Sequence, residues 1–103
     1  MPGTKVLLVE AIRKKKNAIE SIVNDLGLNS RVTVRNERAE ETGQNILFRG
    51  KFDIAMARAV GADAVVAEYL VPLIKNSGEA VLFKGKWSKS EKQGLEKALG
   101  NLN

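Results

Sequence analysis

The sequence has 103 residues, of which 44% are hydrophobic and 28% charged, a composition typical of a globular chain and unlike a disordered or fibrous one. This length allows one hydrophobic core, so we expect a single domain over residues 1–103 without a separate substrate domain. The 17 basic residues exceed the 12 acidic ones and give a net charge of +5. A positive net charge favours a polyanionic partner such as RNA, although charge alone does not establish one.

The absence of cysteine and histidine excludes several kinds of chemistry. There is no disulfide, no thiolate nucleophile and no cysteine-ligated metal, and the commonest general base and metal ligand is missing. We therefore predict no metal site. No apolar stretch approaches the ~20 residues needed to span a bilayer, and residues 1–5 lack a secretory hydrophobic region. We expect a cytoplasmic protein that does not associate with membranes.

The first third of the chain predicts a strand, a helix and a second strand. Residues 5–9 are a short, mostly apolar and β-branched run, which is typical of a strand buried on both faces of a parallel sheet. From about Arg13 to Leu26 apolar residues recur at helical spacing, and Gly27 is placed to end the helix in a left-handed conformation. Residues 31–35 alternate polar and apolar side chains, which predicts a strand at the edge of the sheet.

The middle of the chain predicts a long connection, then a buried strand and a second helix. Residues 36–42 are expected to form a loop with about one helical turn, and residues 43–51 a polar connector. Residues 52–57 predict a buried strand, and residues 62–74 an apolar-faced helix. Pro72 should bend or shorten the end of that helix because proline has no backbone N–H.

The last part of the chain predicts one more strand and one more helix. Asn76-Ser77-Gly78 predicts a turn that leads into a strand over residues 80–83. Ser88-Lys89-Ser90-Glu91 has the pattern of a capping box and predicts a final helix that ends near Gly100.

This alternation of strands and helices predicts an α/β fold, an open and mostly parallel sheet of about four strands with flanking helices. The simplest strand order is 2-1-3-4. It places a topological switch point between the first and third strands at their carboxyl ends, where ligands bind in such sheets. Glu10 and Arg58 would lie there.

Glu10 is the first candidate for a binding role. An acidic residue at the tip of a buried strand, followed by a helix, can accept the ribose hydroxyls of an adenosine-type cofactor, although it can equally cap the helix that follows. No Gly-x-Gly-x-x-Gly or Gly-x-x-x-x-Gly-Lys pattern occurs in the sequence, so no phosphate-binding loop is encoded. The glycines stand singly and are interpreted as turn residues.

Two basic segments are candidates for contact with RNA phosphates. The first comprises Arg13, Lys14, Lys15 and Lys16, which open the first helix, where cations are unfavourable against the helix dipole. A phosphate contact would explain them, and a solvated charge run is the alternative. The second comprises Lys84, Lys86 and Trp87. Trp87 could stack on a base, although an aromatic residue that covers a helix start is the more common case.

Eight segments, spread over nearly the whole chain, carry a resemblance to a known family. They are Val6-Leu7-Leu8-Val9-Glu10, Arg13-Lys14-Lys15, Leu26-Gly27-Leu28, Arg38-Ala39-Glu40-Glu41, Phe52-Asp53, Ala57-Arg58-Ala59, Pro72-Leu73-Ile74 and Lys84-Gly85. In order and spacing the chain resembles the ribosomal small-subunit RNA methyltransferase G family, once called glucose-inhibited division protein B. The resemblance implies a Rossmann-like methyltransferase sheet and an enzyme that uses S-adenosylmethionine to methylate N7 of a guanine in 16S rRNA.

The resemblance also implies roles for individual residues. Glu10, with Ala11 and Ile12, matches the acidic strand tip that holds the cofactor ribose. Ala39 and Glu40 match a segment that meets the adenine, and a surface turn is the alternative for them. Arg58 matches an arginine beside the cofactor and the target base, and Lys84 is expected to face the RNA.

The implied chemistry agrees with the composition. N7 of guanine has a free lone pair and can attack a sulfonium methyl group without first losing a proton, so alignment of the substrates matters more than a general base. We therefore predict no catalytic acid or base. Methylation at C5 of a pyrimidine normally needs a cysteine nucleophile, which the sequence lacks.

Family members carry a first strand, a glycine-rich loop and an amino-terminal helical region ahead of the residue that matches Thr4, so the chain resembles roughly their later half. A truncated member without activity is therefore one alternative. Without the family's central strand, the strands of Val6 and Ile54 would become neighbours, or open edges would pair with a second copy into a homodimer.

Two further alternatives belong to other functional classes. The first is a non-catalytic RNA-binding module, which the net charge and the missing loop favour. The second is a phosphoacceptor receiver domain, which has a similar strand order. Its acceptor aspartate ends the central strand, whereas Asp53 begins the matching strand here.

Overall fold

The computed structural model describes residues 4–59 and 68–84, and these contain four strands in one parallel sheet. The strands are β1 (Val6–Val9), β2 (Val32–Arg35), β3 (Phe52–Ala59) and β4 (Ile74–Lys84). The helices are α1 (Arg13–Asp25) and α2 (Ala39–Gly43), with 3₁₀ turns at Ile46–Phe48 and Val71–Leu73. The strand order is β2-β1-β3-β4, which confirms the predicted order and fold class.

Strand β1 is the most buried element because it packs on both faces. Val6 and Leu8 lie in a core cluster with the apolar side of α1, formed by Ile19, Ile22 and Val23. Leu7 and Val9 point to the opposite face, as the two-residue period of a strand requires, and pack with residues of β3 and the Leu70–Leu73 segment. The two cores on either side of β1 explain its continuous apolar sequence.

The first helix ends close to the predicted place. Asp25 is its last residue, Leu26 caps it, and Gly27 adopts a φ of +68°, a left-handed conformation that favours glycine. Ile12 stands at the cap position before α1 and is 46% exposed, so it lies outside the buried stripe of the helix. Strand β2 forms an edge of the described sheet, as its alternating sequence predicts.

The prediction for residues 62–78 needs correction. Residues 68–70 are helical, but Val71–Leu73 is a 3₁₀ turn and Ile74 already belongs to β4, so the helix does not reach residue 74. Pro72 accounts for this early end, since it lacks the N–H that another helical turn needs. Residues 62–67 of that prediction, and the helix expected from Ser88, lie outside the described residues.

The predicted turn at residues 76–78 lies inside β4 and does not precede it. Phe52 pairs with Ile74, but Ile54 pairs with Glu79, so β4 carries extra residues between two paired positions. Polar residues and a glycine suit such an irregularity as well as they suit a turn, which is why the sequence did not distinguish the two.

The amino ends of β1 and β3 are linked by backbone hydrogen bonds. Val6 is level with Ile54, and the carbonyl oxygen of Lys5 accepts hydrogen bonds from the N–H groups of Asp53 and Ile54 at 2.8 and 3.2 Å. Strands β1 and β3 are therefore neighbours, as the predicted order 2-1-3-4 requires. The Asp53 carboxylate accepts a 2.8 Å bond from the N–H of Lys5 and lies 3.5 Å from Nζ of Lys75. The hydrogen bond from Lys5, aided by the Lys75 charge, lowers the pKa of Asp53.

Within the two described ranges, no helix is long and apolar enough to cross a bilayer. The described sheet ends in β2 on one side and β4 on the other. A homodimer formed through these edges stays a prediction.

Gly78 offers a direct test of the β3–β4 packing. A Cβ atom at this position would lie 2.6 Å from the carbonyl oxygen of Asp53, a backbone atom that cannot swing away. We expect Gly78→Ala to destabilise the protein by about 1–3 kcal/mol, as overpacking does, when measured by urea unfolding. The matched control is Ser77→Ala at the exposed neighbouring position. Equal unfolding midpoints for the two variants would contradict the close approach.

Candidate functional site

The carboxyl ends of the strands meet along one edge of the sheet. Val9 is level with Arg35 on one side and with Ala57 on the other, so the next residues, Glu10, Asn36 and Arg58, follow in one row. On the far side Arg58 is level with Phe83, and Ala59 is level with Lys84. Strand register therefore brings Glu10, Arg58 and Lys84 to the same edge, where parallel α/β sheets bind ligands.

Glu10 is held firmly at this edge. It is 5% exposed, its N–H donates to the carbonyl oxygen of Arg35 at 3.0 Å, and its Oε2 accepts from the N–H of Ile12 at 3.0 Å. Ile12 makes no side-chain cap for α1, so the Glu10 carboxylate orders the turn that leads into the helix. This bond is a local one, of the kind that the helix-capping alternative expected, and the ribose role of Glu10 stays a prediction.

Asn36 is a residue of this edge that the sequence analysis missed. Its side-chain Nδ2 donates to the carbonyl oxygens of both Glu10 and Ala11, each at 3.0 Å. The side chain therefore ties the turn after β1 to the exit of β2. A short amide residue placed directly after a strand was the only available signal, and such residues are common in ordinary turns.

A second network lies just beyond Asn36, at the start of α2. The guanidinium of Arg35 donates from Nε and Nη2 to the two carboxylate oxygens of Glu37, at 3.1 and 3.3 Å. Thr42 is fully buried, and its hydroxyl donates to the Glu37 carboxylate at 2.8 Å. These bonds lower the pKa of Glu37, the pair with Arg35 contributing most, and the pKa of Arg35 is raised by the same contact. The guanidinium also lies over the ring of Phe48, 5.4 Å from its centre.

The Glu37 network anchors the short helix that carries Ala39 and Glu40, the two residues predicted to meet the adenine of the cofactor. Helix α2 begins at Ala39, which is buried, and continues with Glu40, which is exposed. The N–H of Arg38 donates to Glu41 at 3.4 Å, and Gly43 packs closely against the backbone of Tyr69. Ala39 and Glu40 therefore follow the β2 exit in a short, anchored helix, close in sequence to the Asn36 link.

The basic residues of α1 separate into two groups. Arg13 and Lys14 are exposed, and Lys15 is half-buried. Lys16, by contrast, pairs with Glu20 at 2.8 Å, one helical turn later. The first turn of α1 holds no acidic residue. Within that turn, no carboxylate offsets the repulsion between the basic side chains and the positive end of the helix dipole, so the positive charge there is unbalanced. Lys86 and Trp87 lie outside the described residues.

Comparison with known proteins identifies the family. The family model described as rRNA small subunit methyltransferase G matches residues 1–102. The chain belongs to this family. It is similar to the ribosomal RNA small subunit methyltransferase G of Prochlorococcus marinus (strain MIT 9313), with 56% identity over 99 residues, which cover 96% of the chain and 40% of the relative. It is also similar to the protein of that name from Parasynechococcus marenigrum (strain WH8102), with 48% identity over 103 residues, 100% of the chain and 42% of the relative.

The chain thus spans about two fifths of the length of these methyltransferase G relatives, at 40% and 42%. The family resemblance seen in the sequence is confirmed. Asp53, the residue considered for a phosphoacceptor role, lies at the amino end of β3, opposite the edge just described. Its position agrees with the family assignment and not with a receiver domain.

The lowered pKa of Glu37 predicts that its contribution to the free energy of unfolding depends on pH. Because the folded-state pKa of Glu37 is lowered, its stabilising effect is fully present above the unfolded pKa of about 4.3 and is lost as pH falls through the folded value. We expect Glu37→Gln to lower the free energy of unfolding by about 1 kcal/mol near pH 7. Urea unfolding should show this difference shrinking as the pH is lowered to about 3.

The control for this experiment is Glu79→Gln, which changes an exposed carboxylate on β4. It should leave the unfolding midpoint unchanged at both pH values. A Glu37→Gln effect that stays constant down to low pH would show that the charge of Glu37 is not what stabilises the α2 start.

Proposed function

We propose that this chain supplies the adenosine-binding part of an S-adenosylmethionine-dependent enzyme that methylates N7 of a guanine in 16S rRNA. The observation that carries the proposal is the row of Glu10, Asn36 and Arg58 at the carboxyl edge of the sheet. The relatives' names support methylation of small-subunit ribosomal RNA, and the choice of guanine N7 rests on the family resemblance.

The described residues suit the adenosine part of the cofactor. The Glu10 carboxylate offers acceptors for the ribose hydroxyls, and the first turn of α2 offers the backbone of Ala39 and the side chain of Glu40 for the adenine. No described residue is assigned to the methionine part, which in the family meets the glycine-rich loop. The described residues therefore account for the adenosine half of the ligand.

When bound, S-adenosylmethionine supplies a methyl group made electrophilic by its sulfonium. The lone pair of guanine N7 forms the new bond to the methyl carbon as the carbon–sulfur bond breaks, so the positive charge moves from sulfur to the purine. No proton is transferred in this step. A chain without histidine or cysteine can therefore serve it by orientation alone, with Arg58 placed by register at the same edge.

Binding of the demethylated cofactor tests the proposal. We expect S-adenosylhomocysteine to bind the chain, and Glu10→Gln to weaken binding about 10-fold because hydrogen bonds from ribose to a carboxylate become bonds to a neutral amide. Isothermal titration calorimetry measures both. The control is Glu20→Gln on α1, whose carboxylate pairs with Lys16. Equal affinities for the Glu10 and Glu20 variants would contradict the ribose role.

The unbalanced charge at the start of α1 favours a second candidate function, a non-catalytic RNA-binding module. Both functions predict contact with RNA, but only the enzyme predicts affinity for S-adenosylhomocysteine. If RNA binds with a steep salt dependence while neither S-adenosylmethionine nor its product binds, the RNA-binding module is the function of this chain.

The salt dependence also tests the role of α1. Lys14→Gln removes one exposed charge from the first turn, so the slope of log K against log salt for single-stranded 16S rRNA fragments should fall by about 0.7. Lys51→Gln is the control, since Lys51 is exposed next to the amino end of β3, away from the candidate edge. An unchanged slope for Lys14→Gln would show that this lysine belongs to a solvated charge run.

A further inference from the structure

We propose that Asn36 is a positioning residue that sets the ribose selectivity of the adenosine site. The inference rests on the proposed function, because it concerns how the carboxylate of Glu10 is held for the ribose hydroxyls. Asn36 was not among the residues that the family resemblance assigned, and it emerges only from the hydrogen bonds at the carboxyl edge.

The amide of Asn36 is used in a way that no other small polar side chain can reproduce. Both of its bonds, to the carbonyl oxygens of Glu10 and Ala11, end on acceptors, so both must come from N–H groups. This requirement fixes the orientation of the amide, with the NH₂ group towards the β1 turn. A serine hydroxyl could donate only one of these bonds, and an aspartate carboxylate could donate neither.

These bonds complete a clamp on the turn that carries Glu10. From inside the turn, Oε2 of Glu10 accepts from the N–H of Ile12. From the strand side, the N–H of Glu10 donates to Arg35, the residue directly before Asn36. Asn36 then holds the two carbonyl groups that follow. Both N–H groups and carbonyl groups of the turn are therefore hydrogen-bonded. Such bonds keep a binding carboxylate in one orientation before its ligand arrives.

The clamp acts on one part of the ligand only. Within the described part of the chain, the side-chain hydrogen bonds of Asn36 go only to the Glu10 turn. The segment proposed for adenine is anchored by bonds that do not involve Asn36, from the Thr42 hydroxyl to Glu37 and from the Arg38 N–H to Glu41. Loss of the Asn36 side chain should therefore weaken recognition of the ribose hydroxyls and leave recognition of the adenine nearly intact. A residue needed merely for the fold would weaken both equally.

A comparison of adenosine with 2′,3′-dideoxyadenosine reads this difference directly. We expect the wild-type chain to bind adenosine about 10-fold more tightly than the dideoxy compound, since only adenosine offers hydroxyls to Glu10. In Asn36→Ala the preference should fall to about 2-fold or less, mainly through weaker binding of adenosine. Chemical-shift titrations by NMR measure both affinities and show in the same spectra that the variant is folded.

Two further variants sharpen the test. Asn36→Asp keeps the shape of the side chain but lacks both N–H donors, so it should lose the preference as Asn36→Ala does. Asn45→Ala is the matched control, because the Asn45 side chain also bonds to backbone, accepting from the N–H of Leu47 at 3.0 Å. It should keep the wild-type preference.

The outcomes separate this inference from the function on which it rests. If the wild type prefers adenosine and both Asn36 variants keep that preference, the positioning role is wrong and the proposed function stands. If the wild type binds neither adenosine nor 2′,3′-dideoxyadenosine, or binds both equally, the proposed function is wrong. The positioning role of Asn36 is then wrong as well, because it depends on that function. Unfolded spectra for both Asn36 variants would overturn the inference, because they would show that Asn36 serves the fold.

Discussion

Hydrogen bonding between β1 and β3 joins the first half of the described chain to the second. Val6–Val9 lies beside Ile54–Ala57 in parallel register, and each strand contributes to the two apolar cores on opposite faces of the sheet. Because parallel strands end at the same edge, this pairing also decides which residues meet at the carboxyl ends. Glu10 lies beside Arg58 only if β1 and β3 are neighbours, so fold and candidate site depend on the same contact.

Much of the fold could be predicted from the sequence because its strongest signals are periodic. The apolar run of β1, the helical spacing of α1 and the left-handed Gly27 are all local features, and each appears where it was expected. The end of the second predicted helix was misjudged at residue 74, since Pro72 shows where a helix weakens but not where a strand begins. The register shift within β4 depends on pairing with β3, which no local pattern encodes.

The candidate site could be predicted only in part, for a similar reason. Glu10 and Arg58 were identifiable because each directly follows a run of residues predicted as a buried strand, and strand order then brings them together. Asn36 and Glu37 were not, since their roles depend on partners from other parts of the chain or on a buried residue later in the sequence. The two carbonyl groups that Asn36 holds are 25 and 26 residues away. The buried hydroxyl that Glu37 accepts from, in Thr42, reads in the sequence as part of a polar loop.

The most direct test of the shared carboxyl edge is to determine which strands lie beside β1 in solution. NMR measurement of short interproton contacts on the isotopically labelled chain should show contacts from Val6–Val9 to Ile54–Ala57 as well as to Val32–Arg35, in the parallel registers given above. This result would establish the edge at which Glu10, Asn36 and Arg58 meet. Contacts from β1 to β2 alone, with β3 paired elsewhere, would contradict the shared edge and the adenosine site built on it.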